Sequence, residues 1–239
     1  MNYKGISFYL SLFCFPISIL AFLNILYSSY FDYFLSINSY VITLIVSLVA
    51  GSSLFLTGRK SKKKLSFIEQ LILVILIYLL VSFLIALPFY LSNYQVTFIN
   101  AIFESISGLT GTGFSIFLNI KYLDPTLIIW RSSSQWIGGL YFLFFLIFIF
   151  SNKQFNYKMT NLTFSGEGNI KELLLKIFIL YVVLSFFIFL LLNIFDVRMF
   201  NSLNLSMSLI SSGGFLPTNS LDKIIQTNTQ KIVFIFSLL

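Results

Sequence analysis

Two short segments that mix glycine with hydroxyl residues, Thr110-Gly111-Thr112-Gly113 and Ser211-Ser212-Gly213-Gly214, are where this sequence offers chemistry. Each follows an apolar stretch, Val96 to Gly108 and Phe200 to Ile210. At ~1.5 Å per residue neither stretch is long enough to cross a ~30 Å hydrocarbon layer as a helix. A helix that stops midway directs its partially negative C-terminus toward the membrane centre, which favours a cation there. The backbone that follows can present carbonyl oxygens in place of a hydration shell, and glycine allows the positive φ that turning successive carbonyls inward requires. The predicted chemistry is coordination of a dehydrated cation by extended backbone at residues 110 to 113 and 211 to 214. One such segment alone would read as a glycine turn in an exposed loop. Two copies, each after a helix too short to span, favour the lining of a pore.

Other chemistry has little support. The chain has no His and a single cysteine, Cys14, so the commonest metal ligand and general base is missing and no internal disulfide can form. The acids are scattered, and no catalytic residue, cofactor or resident metal site is assigned. Glu104 is the one acid inside a short apolar segment; either it adds negative field near the glycine segment, or it is bonded to backbone amides behind it. Arg131, beside Trp130, is expected to be an interfacial anchor. Gly138-Gly139 is expected to be a close helix contact. Asp124 and Asp222 are expected to be solvated loop acids near a vestibule.

The elements that must position these residues follow from composition. Of 239 residues, 58% are hydrophobic, 19% aromatic and 10% charged, with a mean hydropathy of +0.94. That balance excludes a soluble domain and predicts an all-α polytopic membrane protein. Spans are predicted over about Ile6–Tyr27, Ser39–Leu56, Ser66–Leu91, Thr126–Phe150 and Leu173–Phe195, with a polar loop from Ser151 to Asn169. Lys4 before an apolar run has the look of a cleaved leader. The uncharged run from Gly5 to Phe31 is too long for one, and no small-residue cleavage site follows, so a retained helix is expected. The order span, short helix, glycine turn, span occurs twice. An offset of 101 residues aligns Asn100 with Asn201, Ser105 with Ser206, Ser107 with Ser208, Gly113 with Gly214 and Phe114 with Phe215.

Net charge is +7, from 15 basic and 8 acidic residues, and its placement is informative. Lys4, then Arg59, Lys60, Lys62, Lys63 and Lys64, then Lys153, Lys158, Lys171 and Lys176 all fall on one side if the spans alternate. By the positive-inside rule that side, with the N-terminus, is cytoplasmic. A polybasic loop between spans is a topology signal next to a lipid bilayer, and no nucleic-acid partner is expected.

Three stretches carry a family resemblance. They are Phe103-Glu104-Ser105-Ile106-Ser107-Gly108-Leu109-Thr110-Gly111-Thr112-Gly113-Phe114, then Trp130-Arg131-Ser132-Ser133-Ser134-Gln135-Trp136-Ile137-Gly138-Gly139, then Ile210-Ser211-Ser212-Gly213-Gly214-Phe215. In order and spacing they resemble the Trk/Ktr potassium uptake proteins (TrkH/KtrB). The resemblance implies four membrane helix–pore loop–membrane helix repeats, often preceded by two extra helices. On that pattern residues 1–58 form the extra pair, 66–150 the first repeat, and 173–239 a second repeat cut short in its last helix. Thr110, Gly111, Thr112 and Gly113, with Ser211, Ser212, Gly213 and Gly214, then correspond to two K⁺-binding selectivity filters. Gly111 departs from the pattern, since the family usually carries Thr or a bulkier residue there. The implied function is K⁺ uptake across the cytoplasmic (inner) membrane, with K⁺ as the transported ion and no cofactor. The implied partners are a cytoplasmic nucleotide-binding regulatory subunit resembling TrkA/KtrA and, for the complete protein, a second copy in a homodimer. Two of four filters are present and Leu239 falls early in the next span, so the chain is expected to be the N-terminal half of a transporter. The alternative is a non-conducting subunit or degenerate remnant.

Overall fold

The computed structural model describes residues 1–33, 36–60, 65–150 and 170–237. Lys62, Lys63 and Lys64, and the loop carrying Lys153 and Lys158, lie outside the described residues. Among the described residues the regular elements are all helices: α1 (Tyr3–Tyr30), α2 (Ile37–Gly58), α3 (Phe67–Tyr90), α4 (Phe98–Leu109), α5 (Pro125–Phe150), α6 (Ile170–Ile194), α7 (Met199–Ile210) and α8 (Asn228–Phe236). α1, α2, α3, α5 and α6 are long and apolar enough to cross a membrane. This is the all-helical polytopic architecture expected from the composition.

The starts of the helices are written locally. Ser66 and Glu69 form a capping box at α3, as Thr227 and Gln230 do at α8. Thr97 caps α4 through the Asn100 amide. Asp124 departs from the solvated acid expected of it. Its Oδ1 accepts from the Thr126 amide and hydroxyl, both at 2.9 Å, and the side chain is buried. Asp124 followed by Pro125 is an N-cap before a proline at the first helical position, and that role draws the carboxylate inward.

α4 and α7 have twelve residues each and begin 101 positions apart. Single 3₁₀ turns at Ile120–Tyr122 and Leu221–Lys223 keep the same offset. The internal similarity in the sequence therefore has a counterpart in local structure that continues beyond the glycines.

Packing divides into two apolar clusters. The larger gathers residues of α1, α3 and α5 with Tyr40 of α2, among them Ile17, Leu73, Ile77, Leu84 and Trp130. The smaller joins α6, α7 and α8 through Ile188, Leu192, Leu205 and Val233. α1 and α2 pair through small residues. Ser11, Ser18, Thr43 and Ser47 are buried and return their hydroxyls to carbonyls of their own helices. That arrangement satisfies the hydroxyls and lets the backbones approach, as association in lipid requires.

Between the two clusters runs α5, which hydrogen-bonds to every other spanning helix. Trp130 Nε1 donates to the Ile85 carbonyl of α3 at 3.0 Å, and Trp136 Nε1 to Ser185 Oγ of α6 at 2.9 Å. Tyr141 of α5 donates to the Phe13 carbonyl of α1, and Tyr40 of α2 to Thr126. In a medium without water each such bond leaves no alternative partner for its donor, so α5 is fixed in rotation and height.

Candidate functional site

α4 and α7 end the same way. In each the residue after the last helical one is a C-cap near αR, Thr110 or Ser211, and the next residue is left-handed: Gly111 at φ +70°, Ser212 at φ +53°. The amides of Gly111 and Thr112 return to the carbonyls of Gly108 and Ser107. Those of Ser212 and Gly213 return to Leu209 and Ser208. These are paired Schellman caps. They correct the expectation of extended backbone over residues 110–113 and 211–214, because the first two residues of each segment close the helix. They also account for Gly111, which occupies the left-handed position of the cap; Ser212 adopts the same region without glycine's freedom. Gly113 also takes a positive φ, +80°, whereas Gly214, its counterpart in the second segment, is not among the positive-φ residues.

The two segments meet. A Cβ on Gly113 would lie 2.5 Å from the Gly214 Cα, and one on Gly111 would lie 3.4 Å from the Ser211 carbonyl oxygen. Gly111 and Gly113 thus meet Ser211, Ser212 and Gly214 at one junction between the ends of α4 and α7.

That junction is held from α5. Glu104 of α4 is fully buried; its Oε1 accepts from Arg131 Nε at 2.8 Å and from Ser115 Oγ at 3.0 Å, and its Oε2 from the Ile116 amide at 2.9 Å. This agrees with the backbone-bonded alternative for Glu104 and supplies a partner the sequence reading missed. Arg131 is not an interfacial anchor. It is 1% exposed, its Nη2 donates to Ser115 Oγ at 3.0 Å, and its Nη1 donates to the Leu216 carbonyl at 3.3 Å. The guanidinium carbon lies 4.3 Å from the centre of the Phe215 ring. A guanidinium buried this deeply is stable because its donors, its charge and its flat face all find partners.

One turn along α5, Gln135 Oε1 accepts from Ser208 Oγ at 2.8 Å and from the Phe215 amide at 3.2 Å. A Cβ on Gly213 would meet the Gln135 carboxamide at 2.4 Å. Ser107, aligned with Ser208, donates instead to the Phe114 carbonyl at 2.5 Å. Beyond the glycines, Asn219 Oδ1 accepts from the Ile120 amide and Asn219 Nδ2 donates to Asn119, a further tie between the copies.

Gly138-Gly139 is the close contact expected. A Cβ on Gly138 would lie 2.1 Å from the Leu109 carbonyl oxygen, and one on Gly139 would lie 2.8 Å from Ser211 Cβ. Gly138→Ser is therefore expected to lower the yield of folded protein several-fold by pushing the end of α4 off α5. Fluorescence-detected size exclusion of a tagged full-length gene product measures it, and a yield equal to wild type would refute the contact.

Among the described residues, five helices long and apolar enough to span, with two short helices that end in abutting glycine segments, define a polytopic helical membrane protein. The chain belongs to the TrkH family of cation transport proteins, whose model matches residues 36–239. It is 30% identical over 191 residues to an uncharacterized cation transporter of Methanocaldococcus jannaschii, covering 76% of this chain and 40% of that protein. It is 35% identical over 99 residues to the Trk system potassium uptake protein TrkH of Escherichia coli K12, covering 41% of this chain and 20% of that one. The crystal structure of the potassium transporter TrkH from Vibrio parahaemolyticus superposes with a TM-score of 0.86 at 20% identity, over 99% of this chain and 49% of that chain. The chain thus spans half or less of the length of these relatives.

Proposed function

We propose that the chain forms two cation-coordinating pore loops of a K⁺ uptake system in the cytoplasmic membrane, with its N-terminus on the cytoplasmic side. Carbonyls near Gly113 and Gly214 replace part of the hydration shell of K⁺, and α4 and α7 direct the negative ends of their dipoles at the ion. The observation that carries this reading is the meeting of Gly113 and Gly214, contributed by two copies of one helix–glycine unit at the ends of two twelve-residue helices. Irregular backbone at membrane depth is stable where it lines a water-filled path. The potassium uptake proteins among its relatives support K⁺ as the ion. A nucleotide-binding cytoplasmic subunit and a second copy are the partners that the family resemblance proposes.

Cells unable to grow at low external K⁺ provide the test. The full-length gene product is expected to restore growth, and failure at normal membrane levels would overturn the reading. Residues 1–239 expressed alone are expected not to restore it, because two loops supply half of a fourfold ring of carbonyls.

A further inference from the structure

We propose that Arg131 is a positioning residue for ion discrimination: its guanidinium sets the register of the two glycine segments against each other. The inference rests on the pore-loop reading above and adds a determinant outside the loops.

The contacts of Arg131 land just past the glycines. Nη2 and the paired carboxylate hold Ser115 and Ile116, two and three residues after Gly113. Nη1 and the flat face of the guanidinium hold Leu216 and Phe215, two and one residues after Gly214. Two of these contacts, Glu104 with the Ile116 amide and Arg131 with the Leu216 carbonyl, are made to backbone atoms, so they fix where the chain runs and not merely what surrounds it. One rigid planar group thereby spans the exits of both segments.

The contact at the glycines tolerates little sliding. With a Gly113 Cβ only 2.5 Å from the Gly214 Cα, a small shift of one segment along the other would bring backbones into collision or open a gap. Discrimination between cations by backbone carbonyls depends on where those carbonyls stand, so the group fixing the register fixes the preference. Arg131 can hold position because α5 is itself pinned by Trp130 and Trp136 on either side of it. A lysine would keep the charge opposite Glu104 and lose the fork, since an ammonium is a point charge without a planar face.

The alternative is that the pair contributes folding stability alone, and the two roles separate in one experiment. Uptake of ⁸⁶Rb⁺ is measured with competing K⁺ and Na⁺ in cells expressing the full-length gene product, normalised to folded transporter. Arg131→Lys is expected to reduce the K⁺ over Na⁺ preference at least fivefold while folded protein stays within about twofold of wild type. A wild-type preference in Arg131→Lys overturns the inference. Should Arg131→Lys fail to fold, Phe215→Leu decides, because it keeps apolar bulk and removes the stacking face. About a threefold loss of preference supports the proposal, and an unchanged preference overturns it. Gly113→Ser runs alongside: a shift there with none in Arg131→Lys refutes the inference alone, whereas no shift in Gly113→Ser refutes the pore-loop reading and the inference together.

Discussion

Gly113→Ser is expected to cut the K⁺ over Na⁺ preference of the full-length gene product more than tenfold, with a smaller loss of folded protein. Two independent costs fall on this position. At φ +80° an L side chain is held in the left-handed region, a strain of about 1–2 kcal/mol for a residue that has a Cβ. The new Cβ would also stand 2.5 Å from the Gly214 Cα, a distance that moves backbone and not a side chain. Gly214→Ala is expected to be clearly milder, since Gly214 lies outside the left-handed region and its Cβ would meet the Gly113 Cα at 3.2 Å. Competitive ion uptake by the two variants, normalised to transporter in the membrane, checks the order. Equal effects, or an unchanged preference in Gly113→Ser, would sink the assignment of Gly113 to the ion path.

The second large effect is on stability. Arg131→Met leaves Glu104 buried without its cation, a loss of about 3–5 kcal/mol for a broken buried ion pair. The double variant Glu104→Gln/Arg131→Met removes both charges and keeps similar volumes, so it is expected to be more stable than Arg131→Met alone. Melting temperatures of the four proteins in detergent complete a double-mutant cycle, and side chains in direct contact predict a coupling of about 0.5–3 kcal/mol. Additive losses would mean that Glu104 and Arg131 do not act as a pair.

The legible part of this molecule was the part written in local sequence. Hydropathy runs placed the spanning helices within a few residues of where they lie, and the short helices were recognisable because Val96–Gly108 and Phe200–Ile210 are too brief to cross. The pair Glu104–Arg131 was not read, because 27 residues separate its members and no periodicity links them. A signal was nonetheless present. Arg131 lies six residues inside α5, about 9 Å past its start, too deep for an anchor at the water interface. An acid and a base each embedded in apolar sequence are stable together and costly apart. Gln135 carries no local sign of its role, since its partners, the Ser208 hydroxyl and the Phe215 amide, lie 73 and 80 residues further along the chain. In the second segment the left-handed position falls at Ser212, where the helix cap needs it and no glycine marks it in the sequence.

Arg131 and Gln135 have no equivalents in the second copy. Counted from the first residue of each helix, the place of Arg131 in α8 is taken by Phe234, and at the 101-residue offset the place of Glu104 in α7 is taken by Leu205. The two copies share a backbone plan, yet the polar clamp is written into one of them. They are therefore no longer interchangeable parts. A chimera that doubled the first unit would bury a second guanidinium–carboxylate pair in place of an apolar contact, and one that doubled the second would have no clamp at all. The asymmetry means that the second segment takes part of its support, at Phe215 and Leu216, from side chains that only the first unit supplies.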